Sequence, residues 1–238
     1  MTDSAHPAPP NRTDSYLHQF ICSLTHDLRS PLTAARVSAQ LIKKNLVEEA
    51  KILNLIGRII TNIDRADHLI QGLLDINSLT AGHRLRVVIA YCDLASLLRE
   101  SQMDFQMMHG DRCRFVSPET LIGYWSPYDL KRILENLVGN AVKYGDKDSL
   151  ITIKLRDLGD QIEISVHNRG NPIPVDQQSL LFEPFQRLQS SDHLGTKGWG
   201  LGLAIVREIT EAHHGSIRLE STFDTGTTFT VTLPKDCR

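Results

Sequence analysis

At 238 residues, with 41% apolar and 23% charged residues, the chain has the make-up of one large or two small globular domains. Its formal net charge of -2 excludes the strongly basic field that draws a protein to nucleic acid or to an anionic membrane. Four scattered cysteines lack Cys-x-x-Cys spacing, no apolar run reaches about 18 residues, and the N-terminus shows no basic-then-apolar pattern, so the expectation is a cytoplasmic protein with reduced thiols and no membrane span.

Residues 1–14 are rich in Pro and polar residues and read as a disordered leader. From Ser15 the pattern turns helical. Apolar residues recur at Leu17, Ile21, Leu24, Leu28, Leu32, Ala35, Ala39, Ile42 and Leu46, a coiled-coil-like seam with a four-residue stutter at Pro31. Within it lies Thr25-His26-Asp27-Leu28-Arg29-Ser30-Pro31-Leu32, where an interior Pro removes a backbone donor at a cost of roughly 3 kcal/mol and an imidazole stands on a helix face. Pro31 also frees the Asp27 carbonyl from its helical bond, giving a bending point beside the His.

A second helix is expected over 47–79, with Leu53, Ile56, Ile60, Ile63, Ile70 and Leu74 on one stripe. Leu55, Ile59, Ala66, Leu69, Leu73 and Ile76 widen it. The two helices form a hairpin whose apolar stripe is too wide for the pair to bury alone. A second copy completing a homodimeric four-helix bundle is the expected solution, and packing against the rest of the chain is the alternative.

From about residue 83 the pattern changes. Residues 84–89 and 112–116 read as strands, with a helix between them over 93–108. Ser126-Pro127-Tyr128-Asp129 carries a cap, a first-turn Pro and an early acid, and opens another helix. Alternating runs at 150–155 and 161–166 read as paired strands, 203–212 as a helix, and 216–220 with 227–233 as a closing hairpin. The expected fold is multidomain, α and α+β: a helical hairpin over 15–82, then an α/β sandwich over 83–238 with one mixed sheet covered by helices on a face.

Three constellations in the second part carry chemistry. Asn136 and Asn140 lie four apart on a helix face with Lys143 three further on. Each interior Asn costs about 0.6 kcal/mol of helix propensity, and two aligned amides with a Lys suit a hydrated Mg²⁺ shared with phosphates; a solvated polar face is the alternative. Gly198-Trp199-Gly200-Leu201-Gly202 runs into an apolar helix, whose N-terminus with close-approaching backbone suits an anion. It matches neither the dinucleotide pattern nor a P-loop. His167-Asn168-Arg169-Gly170 follows a strand, where an amide can read a purine edge or simply end the strand.

Taken in this order, the motifs resemble those of the bacterial two-component sensor histidine kinases over residues 15–235. Thr25–Leu32 is similar to that family's phosphoacceptor box, with His26 as the phosphorylated residue and Asp27 as the acid that takes a proton or orients the ring. Residues 136–144 match the asparagine box, Asn168-x-Gly170 the first glycine box, Phe182-Glu183-Pro184-Phe185 the phenylalanine box, and Gly198–Leu203 the second glycine box. Gly226-Thr227-Thr228-Phe229 fits the last sheet segment lining the nucleotide.

The resemblance implies a dimeric phosphoacceptor bundle joined to an ATP-binding domain of the gyrase, Hsp90 and histidine kinase superfamily. The γ-phosphoryl group of ATP passes to His26 and then to an Asp of a response-regulator receiver domain. Asn140, assisted by Asn136, is the implied Mg²⁺ ligand. Lys143, Tyr144 and Arg187 are implied phosphate or ribose contacts, with Lys197 a further candidate. Asn168, Gly170, Gly198, Gly200, Leu201, Gly202 and Thr227 complete the implied nucleotide site.

Three positions depart from the family pattern. Asn168 replaces an Asp, Asp27 a Glu, and Ser30 the Thr or Asn that accompanies phosphatase activity. The alternative function is a non-catalytic dimeric phosphotransfer scaffold whose His26 is charged by another kinase. A 14-residue leader holds no sensor, so the expected input is a partner or a longer chain.

Overall fold

The computed structural model describes residues 28–42, 51–52, 54–63, 66, 70, 72, 87–186 and 200–238. The chain divides into two compact units, Met1–Asn77 and Ser78–Arg238.

In the first unit, residues 28–42 form helix α1, and the described residues from 51 to 72 are helical and are called α2. α1 passes through Pro31 without interruption. Pro31, Ala35 and Ser38 are buried on α1, and Leu55 and Ala66 on α2. Much of the apolar stripe stays open to solvent in the single chain, including Leu32 at 54%, Ile60 at 54% and Ile63 at 52% exposure. No helix among the described residues is long and apolar enough to cross a membrane.

The second unit runs β1 (Ala90–Asp93), α3 (Leu94–His109), a 3₁₀ turn (Gly110–Arg112), β2 (Cys113–Val116), β3 (Ile122–Trp125), α4 (Pro127–Tyr144), β4 (Ile151–Asp157), β5 (Gln161–Asn168), α5 (Val175–Gln178), a 3₁₀ turn (Leu180–Phe182), α6 (Gly202–Ala212), β6 (Ser216–Thr222) and β7 (Gly226–Pro234). Five strands make the main sheet in the order β2-β4-β5-β7-β6, with β2 parallel to β4 and the other pairs antiparallel. β1 and β3 pair separately as a two-stranded antiparallel sheet, so the strands are divided between two sheets and not gathered in the single one expected.

Local chemistry accounts for the helix starts. Asp93 caps α3 by accepting from the Ala95 amide at 3.0 Å. Ser126 caps α4 through its hydroxyl, with Pro127 in the first turn. Strand alternation then sets the core. Ile162, Ile164 and Val166 of β5 turn inward with Ile151, Ile153 and Leu155 of β4, under α4 and α6. Each such side chain contributes about 1.5–3 kcal/mol by leaving water. Trp125 is fully buried and its indole N–H donates to the Pro234 carbonyl at 2.7 Å, tying the small sheet to the end of β7.

Two elements correct the sequence reading. The first strand lies at Ala90–Asp93, later than the expected 84–89: residues 87–89 carry no regular structure, and 84–86 lie outside the described residues. β5 runs on to Asn168, so His167 and Asn168 are strand residues paired with Thr228 and Thr227, not loop residues after a strand.

Candidate functional site

Three structures meet at one end of the main sheet: the second half of α4, the start of α6, and the adjoining ends of β5, β6 and β7. α4 is held by a buried ion pair between Asp129 and Arg132 at 3.4 Å, with the Arg132 guanidinium over the Tyr128 ring. From that base α4 presents Asn136. Its Nδ2 donates to the Arg132 carbonyl at 2.9 Å, and its Oδ1 lies against Gly202, where an added Cβ would come within 2.6 Å of it. One turn further on, Asn140 is half-buried and its carboxamide forms no hydrogen bond with a described residue. Lys143 and Tyr144 are exposed in the last turn.

α6 begins at Gly202 with no side chain among the described residues capping it and no acid in its first turn. Among the described residues no side chain takes its first amide groups, and these with the positive end of the helix dipole suit an anion. The approach is shaped by Gly200, whose φ of 70° suits glycine, and by the bond from the Phe185 amide to the Gly200 carbonyl at 3.0 Å. The phenylalanine box braces this turn. Phe182 packs edge-on against Phe229, and Glu183 pairs with Arg207 of α6 at 2.9 Å. Leu201 is buried at the turn.

The third wall is a buried polar row. Asn168 closes β5, opposite Thr227 on β7, and Thr227 is opposite Ser221 on β6. Asn168 donates to the Arg169 carbonyl at 3.1 Å, while the Thr227 and Ser221 hydroxyls are 2.7 Å apart. Ser221 also accepts from the Ile173 amide at 2.9 Å. Gly170 lies against the Tyr144 carbonyl, where a Cβ would come within 3.0 Å, and the Asp146 amide donates to Arg169. These contacts join the end of α4 to the end of β5. His167 points to the other sheet face and meets Thr228 at 3.0 Å; burial first, then the charge of Arg169, holds its pKa below the ordinary histidine value.

The structure thus brings Asn136, Asn140, Gly200, Leu201 and Gly202 to one side of the site, and Asn168, Gly170 and Thr227 to another. His26, Asp27, Arg187, Lys197 and Gly198 lie outside the described residues. Sequence reading missed Ser221, which only the hairpin register pairs with Thr227, and the Arg207–Glu183 pair, whose partners are far apart in the chain.

Comparison with known proteins agrees with this construction. Residues 126–236 match the family described as histidine kinase-, DNA gyrase B-, and HSP90-like ATPase, and residues 16–82 match the His Kinase A (phospho-acceptor) domain. The catalytic domain of histidine kinase ThkA is 30% identical, with 63% of this chain covering 99% of that one at a TM-score of 0.55. The chain belongs to the sensor histidine kinases.

Among these kinases it is 29% identical to the sensor-like histidine kinase SenX3 of Mycolicibacterium smegmatis, over 94% of this chain. It spans 59% of that relative's length. A structure of histidine kinase ThkA in complex with response regulator protein TrrA is 26% identical, with 94% of this chain covering 63% of that one at a TM-score of 0.58. In this chain the phosphoacceptor match precedes the ATPase-like match, and it includes His26. The ATPase-like match begins at the Ser126 cap of α4 and so contains all three walls of the site.

Proposed function

We propose that this sensor histidine kinase transfers the γ-phosphoryl group of ATP to His26 and then to an Asp of a response-regulator receiver domain. The observation that carries the reading is the meeting of the Asn136 carboxamide with the uncapped start of α6 at Gly202. Free amides at a helix N-terminus receive phosphate oxygens. Neutral carboxamide oxygens suit a hard, partly hydrated cation. Asn140, whose amide is uncommitted among the described residues, would hold Mg²⁺, with Asn136 assisting. When bound, that ion offsets the negative charge of the phosphates.

The chain's own groups divide the remaining work. Lys143, Tyr144 and Arg187 would contact phosphate or ribose. Asn168 and Thr227 receive the base, with Gly170 leaving room beside them. Gly200 and Leu201 shape the approach to α6, and Gly198 would contact the nucleotide with them. An amide at position 136 cannot take a proton from water, so the site does not favour hydrolysis of ATP. A ring nitrogen of neutral His26 attacks the γ-phosphorus, a new N–P bond forms, the bond to the bridging oxygen breaks and ADP leaves. Asp27 takes the other ring proton or orients the ring.

Residues 15–82 act as the phosphoacceptor and dimerisation part and 83–238 as the catalytic part. The exposed isoleucines of α2 support a homodimer, and the ThkA–TrrA complex supports a response regulator as acceptor. Incubating the protein with γ-labelled ATP and Mg²⁺ tests the reading. Acid-labile, alkali-stable label is expected, and it should vanish in His26→Ala. Absence of both label and ATP binding would overturn it.

A further inference from the structure

Arg112 closes the 3₁₀ turn that leads into β2, and its side chain crosses to the connection between α4 and β4. There Nη2 donates to the Asp146 carbonyl at 2.8 Å. Arg112 is half-buried, and among the described residues its Nε is the enclosed side-chain atom left without a partner. An arginine free on the surface would keep all five donors in water. This one leaves a donor unmet where it sits, so solvation alone does not decide its position.

The Asp146 carbonyl also accepts from the Ser149 amide at 3.2 Å and the Ser149 hydroxyl at 3.0 Å. Those two bonds lie within the connection and shape its own turn. Arg112 belongs to a different element and ties that turn to the start of β2, the edge strand of the main sheet.

What the turn holds is Asn168. The Asp146 amide donates to the Arg169 carbonyl at 2.8 Å, and the same carbonyl accepts from Nδ2 of Asn168 at 3.1 Å. A carbonyl only accepts, so the amino side of the carboxamide faces it and Oδ1 is turned away as an acceptor. Oδ1 has no hydrogen-bond partner among the described residues. Gly145 packs on the same side chain: a Cβ there would come within 3.0 Å of Nδ2 and 3.1 Å of the Asn168 Cβ. The backbone of residues 145 and 146 thus sets the carboxamide through two contacts, and Arg112 holds that backbone.

We infer that Arg112 is a positioning residue for nucleotide recognition. Through the Asp146 carbonyl it steadies the connection that fixes the Asn168 carboxamide, with Oδ1 presented to the 6-amino group of adenine. Arg112 acts through Asn168 and not on the phosphates. The inference rests on the proposed reading of Asn168 as a residue that receives the base.

The test compares ATP with purine riboside triphosphate, which lacks the 6-amino group, each titrated with Mg²⁺ into the full chain by calorimetry. The wild type should bind ATP about tenfold more tightly, the worth of one hydrogen bond. The Arg112 bond lies at the surface, so its loss has a modest effect. Arg112→Ala should weaken ATP about threefold to tenfold and leave purine riboside triphosphate within about twofold of its wild-type value. General loosening of the domain would weaken both ligands alike and leave their ratio unchanged. An unchanged ratio in Arg112→Ala therefore overturns the inference and leaves the kinase reading standing. If the wild type binds the two ligands equally, the reading of Asn168 as a base contact falls and the inference with it. If it binds neither, the ATP reading falls as well. Should Arg112→Ala not fold, Arg112→Gln, polar but too short to reach the Asp146 carbonyl, is judged against the same two ligands and the same outcomes.

Discussion

Asn136 Oδ1 and the Cα of Gly202 are in such close contact that a methyl group on Gly202 would sit 2.6 Å from the oxygen. The contact joins the asparagine-bearing face of α4 to the first turn of α6, two segments about 66 residues apart in the chain. Asn136 cannot easily yield, because its Nδ2 is bonded to the Arg132 carbonyl and Arg132 is paired with Asp129 in the core. Gly202→Ala should therefore clash with Asn136 and strain the junction of α4 with the first turn of α6. Overpacking of this kind costs about 1–3 kcal/mol. The expected outcome is a folded protein with autophosphorylation reduced at least about tenfold. Circular dichroism with a single-turnover labelling assay checks it, and full activity in Gly202→Ala would show that the contact is not needed.

His213 makes stability depend on pH. The ring is fully buried; its Nδ1 lies 2.8 Å from the Ile209 carbonyl and its Nε2 lies 3.0 Å from the Ser126 amide. Both bonds form at once only in the neutral ring, with the proton on Nδ1. The ring thereby ties the end of α6 to the cap of α4. Burial lowers its pKa most, and the charge of neighbouring His214 lowers it further. The Ile209 bond and Asp129 pull the other way. The unfolded chain takes up a proton near the ordinary histidine value of about 6.5, whereas the folded chain resists it. The contribution is therefore fully present above that pH and lost as pH falls below it. Urea unfolding between pH 7.5 and about 5 should show a steeper loss of stability for the wild type than for His213→Gln. Parallel curves would remove the assignment.

What could be read from the sequence was what is encoded locally. The Ser126 cap, the first-turn Pro127, the Asn136/Asn140 spacing and the Gly200 turn ahead of α6 all act within a few residues, and each appears as expected. β3 was not foreseen, because Ile122–Trp125 is short and contains Gly123, a poor strand former, and its pairing with β1 is non-local. β1 was expected too early because residues 84–89 are more β-branched than Ala90–Asp93, where the cross-strand contact of Tyr91 with Tyr124 and the capping role of Asp93 decide the position. The strand character of Asn168 comes from eight paired positions along β7, not from its own low β propensity. The Ser221–Thr227 contact likewise depends on hairpin register.

His214 follows the His213 cap of α6 with φ of 59°, a left-handed conformation costly for a residue with a Cβ. Its amide donates to the Glu211 carbonyl, and the next amide, that of Gly215, donates to Thr210. Backbone bonds of this kind end a helix without help from the side chain. His214 is exposed, so replacing its side chain removes little packing. His214→Gly should keep the turn and stabilise the protein by up to about 1 kcal/mol, offset in part by the greater freedom of glycine in the unfolded chain. Thermal denaturation with calorimetry measures it, and a large loss of stability would show that the imidazole has a structural task of its own.

The apolar face left open on α2 tests the proposed homodimer. Ile56, Ile60, Ile63 and Ile70 are 41%, 54%, 52% and 46% exposed, and they recur at helical spacing along one stripe. Exposing that much contiguous branched aliphatic surface is unfavourable at about 25 cal/mol per Å², so a face of this kind is expected to be covered. Ile60→Glu places a charge at its centre. In a dimer interface the carboxylate would be stripped of water with no partner, at a cost of several kcal/mol. On a monomer's surface it would cost almost nothing. Sedimentation equilibrium should therefore show a dimer for the wild type and mainly monomer for Ile60→Glu, with the α+β unit still folded and still binding nucleotide. A wild type that sediments as a monomer, or an Ile60→Glu variant that remains fully dimeric, would place the covering of this face elsewhere.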